Sequence, residues 1–177
     1  MAVHPDLTSM LRESLPEYLY VANYCIGFTK DEEWPSQGCL GYPAAGLLFS
    51  ILDTIGSYLR GQLSVKVDEK DTPIRNDGCD HFYILNSEYY GQSLPRKTIE
   101  SLYKKFRSIL LHNAALAPEV GLTKGGGSEP FPFEHGRQWV DLLAFLEISR
   151  RAVETFLARA DSIVPGSIQA KNIRSKR

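Results

Sequence analysis

The residues whose types and spacing best suit chemistry are Arg107 and His112, which stand five positions apart in an otherwise apolar stretch. Arginine carries a permanent planar charge that can grip two phosphate oxygens as negative charge builds. Histidine both takes and gives a proton near neutrality, because its ordinary pKa is about 6.5. The pair therefore predicts a site that holds a phosphate ester and moves its protons.

The spacing of the pair limits how both side chains reach one phosphate. On an α-helix, five residues correspond to a rise of about 7.5 Å and a rotation of about 500°, so the side chains point about 140° apart. Both reach one phosphate if Arg107 extends, if the helix loosens near His112, or if two protomers each supply a pair across a cleft. The structural alternative is that Arg107 pairs with a surface acid and His112 ends a core helix.

A third charged residue, Asp53, lies in a stretch that periodicity predicts to be an apolar helix. A lone carboxylate there needs a cationic or hydrogen-bonding partner. One interpretation is that Asp53 orients Arg107. The other is a place on the solvent-facing strip of the helix or in a structural ion pair.

Other candidate sites are weaker. Cys79-Asp80-His81 supplies atoms that bind zinc, but the chain has no Cys-x-x-Cys or His-x-x-x-His spacing. The glycine-rich run from Lys124 to Ser128 lacks the residue order of a P-loop and follows no apolar strand. We predict no metal and no cofactor.

Hydrophobic periodicity predicts four long helices around these residues, with no run that alternates long enough for a real sheet. The predicted long helices cover residues 14–28, 43–60, 94–115 and 137–160, and a shorter one covers 81–90. The stretch before Pro16 is either a short extra helix or the first half of a kinked one. Residues 62–78 form a long exposed connection, and 116–136 a loop or small hairpin. The predicted fold is all-α, an up-and-down four-helix bundle.

Length and composition fit this architecture. The 177 residues suffice for one domain, which we expect over residues 1–163, followed by a flexible basic tail over 164–177. A net charge of -1 gives no bulk attraction for nucleic acid or an anionic membrane. The three cysteines and the lack of a hydrophobic leader favour the cytoplasm, and no stretch is apolar enough to span a membrane.

The run Tyr103–Asn113 resembles the motif of the HEPN (higher-eukaryote and prokaryote nucleotide-binding) domains. Those domains carry an arginine, a polar residue, three further positions and a histidine near the end of a bundle helix. Residues 50–56 resemble the family's preceding helix, and the helix order agrees across about residues 14–160. On this resemblance Arg107 and His112 are catalytic, and Ser108 is the polar neighbour, where the family usually has asparagine, aspartate or histidine.

The resemblance implies a dimeric, metal-independent endoribonuclease. In such an enzyme the 2′-hydroxyl attacks the neighbouring phosphate, the histidines handle protons and the arginines steady the phosphorane. Asn113 and Asp53 are expected to support the pair. Expected partners are RNA or a nucleotide, a second copy of the chain packed around the helices bearing Asp53 and Arg107, and an antitoxin, since a toxin or phage-defence role fits this class.

Two other functions remain open on the sequence. The first is a non-catalytic HEPN-like bundle, in which Arg107 holds the phosphate of a nucleotide or an acidic side chain of a partner protein. The second is a purely structural helical adaptor, for which substitution of Arg107 or His112 alters stability alone.

Overall fold

A computed structural model describes residues 4–108, 110 and 116–175 of the chain. The helices are α1 (Leu7–Gly27), α2 (Gly41–Leu59), α3 (Arg96–Ser101), α4 (Leu142–Ala158), α5 (Ala160–Ile163) and α6 (Ile168–Ser175). A 3₁₀ helix spans Gly78–Asn86, and a π-helical segment spans Leu102–Ser108. Helix α2 lies at the centre, in contact with α1, α4 and the 3₁₀ helix.

The core is organised by the ring of Phe49 on α2. Its centroid lies 5.8 Å from that of Phe82 on the 3₁₀ helix, 5.9 Å from Phe106 on the π-helical segment and 5.0 Å from Phe145 on α4. All four rings are fully buried. These contacts fix the three neighbouring elements against α2. Ring pairs at such distances stabilise a fold beyond the effect of burying their surface.

Helix α1 passes through Pro16 without ending. Its first turn is capped by Asp6, whose carboxylate accepts a hydrogen bond from the Ser9 backbone N–H at 2.7 Å. Of the two alternatives left by the sequence, one long helix containing Pro16 is therefore the structure that forms. None of the helices in the described ranges is long and apolar enough to cross a membrane.

The stretch predicted to be an exposed connection contains an antiparallel hairpin of β1 (Ser64–Val67) and β2 (Lys70–Pro73). Val65 and Val67 alternate with exposed residues and are buried. The turn residues Asp68 and Glu69 both have positive φ, 50° and 63°, as a two-residue type I′ turn requires. Neither Asp68 nor Glu69 is the asparagine or glycine that is usual in such a turn, so the sequence signal for the hairpin was weak.

A second sheet precedes α4, with strand order β3-β5-β4. Its strands are β3 (Val120–Thr123), β4 (Phe133–Glu134) and β5 (Arg137–Asp141). β5 pairs in parallel with β3 and antiparallel with β4. His135 and Gly136, with φ of 51° and 76°, make the tight turn between β4 and β5. The small hairpin foreseen for this region is thus part of a three-stranded sheet.

These two sheets make the fold mixed, so the prediction of an all-α, up-and-down four-helix bundle is wrong. The helix predicted from residue 137 is a strand as far as Asp141, because these residues pair with β3 on one side and β4 on the other. The helix predicted over 94–115 begins at Arg96 and changes to π-helical hydrogen bonding at Leu102. The short helix predicted over 81–90 is the 3₁₀ helix, which begins earlier.

The segment expected to be a flexible basic tail carries α6. Ala170 is fully buried, and its backbone N–H donates to the Ser167 hydroxyl at 3.0 Å, which caps the helix. Ile168 lies against Gly61, just beyond the end of α2, so close that a Cβ at Gly61 would come within 2.9 Å of the Ile168 Cδ1. Helix α6 therefore packs onto α2.

Asp141 joins the second sheet to α4 and offers a direct test of this arrangement. Its Oδ1 accepts from the backbone N–H groups of Leu143 and Ala144, both at 3.1 Å, and its Oδ2 accepts from Gly127 at 2.9 Å. We expect Asp141→Ala to lower the free energy of unfolding by about 2 kcal/mol, measured by urea denaturation at pH 7. Asp6→Ala, which removes an exposed cap of α1, is the control and should cost less. Equal losses would contradict the structural role of Asp141.

Candidate functional site

The carboxylate of Asp53 on α2 holds two partners from separate parts of the chain. Its Oδ2 lies 2.6 Å from Nη2 of Arg107, which belongs to the π-helical segment. Its Oδ1 lies 2.7 Å from Nδ1 of His81 on the 3₁₀ helix. The three residues are called the Asp53 cluster below. Both oxygens of the carboxylate are thus used, one by a permanent cation and one by an imidazole.

The Asp53 cluster is shielded from water. The side chains of Asp53 and Arg107 are 20% and 23% exposed, and that of His81 is 8% exposed. Burial alone raises the pKa of Asp53, but the hydrogen bond from His81 and the charge of Arg107 outweigh it, so the pKa lies below its usual value. Asp53 is therefore charged at neutral pH, and Arg107 is paired with it.

Gly56, one turn after Asp53 on α2, lets the 3₁₀ helix come close enough for the contact with His81. A Cβ at Gly56 would lie 2.5 Å from the His81 carbonyl oxygen and 2.8 Å from its Cβ. No side chain fits there without moving the backbone. The glycine therefore sets the distance between α2 and His81.

Aromatic residues build the wall beside Arg107. The guanidinium carbon lies 5.7 Å from the ring centroid of Tyr103, one turn earlier in the π-helical segment. The Tyr103 ring packs edge-on against Phe82, with centroids 5.3 Å apart. The Nε of Arg107 is buried and has no hydrogen-bond partner within the part of the chain that the structure describes.

Behind His81 lies a second ion pair. Its Nε2 is 3.8 Å from Oδ1 of Asp77, beyond hydrogen-bonding distance, and Asp77 pairs with the buried Arg60 at the end of α2. The contacts thus form a row from Arg107 through Asp53, His81 and Asp77 to Arg60. The imidazole stands between two carboxylates, one on each side.

The π-helical segment contains Arg107, the first residue of the predicted catalytic pair. In a π-helix the hydrogen bonds run from residue i to i+5, so residues five apart lie near one another instead of on divergent faces. Arg107 lies in such a segment, which ends at Ser108, so the loosening considered near His112 falls outside the described residues. His112 and Asn113 lie outside the described residues.

Two of the predicted site residues, Arg107 and Asp53, are therefore in direct contact, and Ser108 is half-buried next to Arg107. Their catalytic or supporting roles stay predictions. His81 was missed as a member of the cluster. Its signal was a histidine at the head of the apolar run His81–Leu85, which could have been paired with the carboxylate that needed a partner in α2.

The side chains of the motif Cys79-Asp80-His81 have separate surroundings. Across the described ranges, no three histidine, cysteine, aspartate or glutamate side chains are grouped as metal ligands. Burial raises the pKa of the Cys79 thiol to about 11, so it is protonated at neutral pH. Asp80 accepts from the backbone N–H of Asn76 at 2.9 Å, and His81 faces Asp53.

An apolar groove of about 500 Å³ lies along α2 next to the Asp53 cluster. Gly46, Ser50 and Asp53 follow one another on the same face of α2 at spacings of four and three residues. The groove is lined by Tyr18, Tyr42, Pro43, Gly46, Leu47, Ser50 and Leu110. Leu110 lies three residues after Arg107 in the sequence, and α2 contributes residues to both the groove and the cluster.

Comparisons with models of known protein families, with curated proteins and with solved structures found no match. The HEPN resemblance therefore rests on the residues quoted for it alone. The expected toxin-antitoxin or phage-defence role has no support, because no relative indicates a cellular context.

The lowered pKa of Asp53 makes its contribution to stability dependent on pH. A carboxylate whose pKa is lower in the folded protein than in the unfolded chain stabilises the fold at pH values above its unfolded-state pKa, near 3.8. This stabilisation is lost as the pH falls through the folded-state pKa. We expect Asp53→Asn to lower the free energy of unfolding by about 2 kcal/mol between pH 5 and 7. The difference from wild type should shrink below about pH 4. Urea denaturation measured from pH 7 to pH 3 checks this.

The matched control is Asp161→Asn, which removes an exposed carboxylate paired with Arg12 at 2.9 Å. Such exposed pairs contribute little, so its unfolding curves should follow wild type at every pH. If Asp53→Asn behaves like Asp161→Asn, the Asp53 cluster does not stabilise the fold as described.

Proposed function

We propose that Arg107 binds a phosphodiester of RNA and that the protein is a metal-independent endoribonuclease of HEPN type. The observation that carries the proposal is the 2.6 Å contact by which Asp53 holds Arg107, half-buried, five residues before His112 in the sequence. A guanidinium oriented before the substrate arrives needs little reorganisation as charge develops on the phosphate. The cytoplasmic location expected from the sequence belongs to this proposal.

The chemistry follows from these groups. A base removes the proton from a ribose 2′-hydroxyl, whose oxygen attacks the adjacent phosphorus. The bond from phosphorus to the 5′-oxygen breaks, and an acid protonates that oxygen. The products are a 2′,3′-cyclic phosphate and a 5′-hydroxyl. Arg107 stabilises the extra negative charge on the phosphorane, and His112 of each of two protomers serves as base or acid.

A second copy of the chain is the partner that supplies the other histidine. The apolar groove next to the Asp53 cluster supports this part of the proposal, since it carries half-exposed tyrosines, Tyr18 and Tyr42, at 40% and 49% exposure. Aromatic residues are enriched in the cores of interfaces between protomers. A dimer packed there holds the two Arg107 side chains near a common cleft.

Binding without cleavage is the second candidate, for a nucleotide or for an acidic side chain of a partner protein. It is favoured by one specific observation, the pairing of Arg107 with Asp53, which neutralises the guanidinium. A paired arginine stabilises the extra negative charge of a phosphorane less than a free one does, which counts against cleavage more than against binding. The same assay separates the two candidates, because only one of them generates new RNA ends.

We expect purified protein to cleave single-stranded RNA in excess chelator, leaving cyclic-phosphate ends. His112→Ala should lower the rate at least 100-fold, because a general acid or base is lost. Arg107→Ala should lower it about 100-fold to 1,000-fold, because the group that stabilises the phosphorane is lost. Gel analysis of labelled RNA, with the ends identified by mass spectrometry, provides the measurement.

Arg150→Ala is the matched control, since Arg150 is an exposed arginine of α4 that donates to Asn23 at 2.9 Å. Its rate should equal that of wild type. Cleavage that persists in His112→Ala comes from a contaminant and contradicts the proposal. Binding of the RNA without new ends, lost in Arg107→Ala, supports the second candidate instead.

The dimer is tested by a charge placed in the groove. We expect the 19.9 kDa chain to elute as a dimer, with twice that mass by light scattering, and Leu47→Asp to be monomeric, because burying an unpaired carboxylate is costly. Phe133→Asp is the control, at a 69% exposed residue of β4 outside the groove, and should stay dimeric. A monomeric wild type at high concentration would refute the shared cleft.

A further inference from the structure

His81 is buried between two carboxylates, and only one of its ring nitrogens is satisfied. Nδ1 lies 2.7 Å from Asp53, whereas Nε2 lies 3.8 Å from Asp77 and has no hydrogen-bond partner within the described part of the chain. A buried polar atom without a partner destabilises a fold. An imidazole in this position becomes a cation by taking up one proton, and either nitrogen then donates toward a carboxylate.

The charge of the Asp53 cluster depends on that proton. With a neutral imidazole, the cluster contains one negative group, Asp53, and one positive group, Arg107, and its net charge is zero. With a protonated imidazole, Asp53 is shared between two cations and the net charge is +1. A phosphate that approaches Arg107 meets an attractive field only in the second state.

The other charges around His81 do not cancel this effect. On its far side, Asp77 is already paired with Arg60, so that pair is neutral as a unit. From the π-helical segment, Tyr103 and Arg107 approach the site. From α3, Arg96 lies over the ring of Tyr83, two residues beyond His81, and from β1 the Lys66 carbonyl accepts from Asn86 at the end of the 3₁₀ helix.

We propose that His81 is a positioning residue whose protonation leaves the Asp53 cluster with a net positive charge beside Arg107, so that the site binds a phosphodiester together with a proton. This inference rests on the proposed function, in that it names the regulation of the same phosphate site. His81 acts through Asp53 and does not contact the substrate. By linkage, a proton on His81 strengthens binding of the anion, and a bound anion favours that proton by the same factor.

The test uses a ligand of constant charge that cannot be cleaved. A 2′-O-methyl hexauridine without terminal phosphates fulfils both conditions, because its phosphodiesters stay singly charged and its 2′-oxygens are blocked. Its affinity is measured by fluorescence anisotropy from pH 5.5 to 8.5 at fixed ionic strength. We expect wild type to bind the ligand about tenfold more weakly at pH 8.5 than at pH 5.5, which corresponds to the loss of one unit of charge near the site.

Three histidine variants identify the residue that takes up the proton on binding. His81→Asn keeps an N–H donor beside Asp53 but gains no charge, so its affinity should be weak and should change with pH less than that of wild type. His135→Asn is the matched control, because His135 lies in a tight turn at φ 51°, which asparagine tolerates. It should keep the tenfold pH ratio of wild type. His112→Asn removes the other histidine of the proposed site, so the pH ratio that it retains is the part contributed by His81.

A second measurement needs no variant. Calorimetry of the wild type in two buffers with different ionisation enthalpies should detect proton uptake on binding near pH 7. A tenfold pH ratio in His81→Asn, or no proton uptake by wild type, would overturn the role of His81 while leaving the phosphate site intact. No binding at any pH would overturn the phosphate site itself, and with it the role of His81.

Discussion

A charged carboxylate in the centre of an apolar helix is the constraint on which the site depends. Asp53 lies on α2 among fully buried neighbours such as Leu52 and Ile55. A charge there is tolerated only with close partners. Arg107 and His81 meet that need from two elements far apart in the sequence. The contacts of Asp53 therefore fix the π-helical segment and the 3₁₀ helix to α2 at one point.

Apolar packing determines how closely these elements approach. Phe49 joins α2 to the same two elements through Phe82 and Phe106, and Gly56 removes the side chain that would hold His81 away. Polar and apolar contacts thus specify the same arrangement. Such agreement between independent contacts is typical of a sequence that selects one structure. The same packing holds Arg107 half-buried, with an Nε that is buried and has no hydrogen-bond partner among the described residues.

The sequence predicted the long helices well where their periodicity was strong, as in α2, and predicted Asp53 as a residue in need of a partner. It failed where elements were short. Four-residue strands such as β1 leave too little alternation to recognise, and the Asp68-Glu69 turn lacks the usual residues. The change from α to π hydrogen bonding at Leu102 depends on tertiary packing, which local periodicity does not record.

The sequence indicated that Asp53 needs a partner but did not single out His81 as that partner. Asp53 and His81 are 28 positions apart, and nothing local links them. By contrast, the pairing of Asp53 with Arg107 was one of two alternatives that the chemistry of a buried carboxylate allowed. A requirement for a partner is thus visible in a sequence, whereas the identity of every partner depends on the fold.

The most direct measurement is nitrogen-detected NMR of the arginine side chains during titration with 2′-O-methyl hexauridine. If Arg107 is the phosphate-binding residue, its guanidinium resonances shift saturably with the ligand, whereas those of Arg150 stay in place. Shifts confined to exposed arginines such as Arg150 or Arg174, with the resonances of Arg107 unchanged, would contradict that claim.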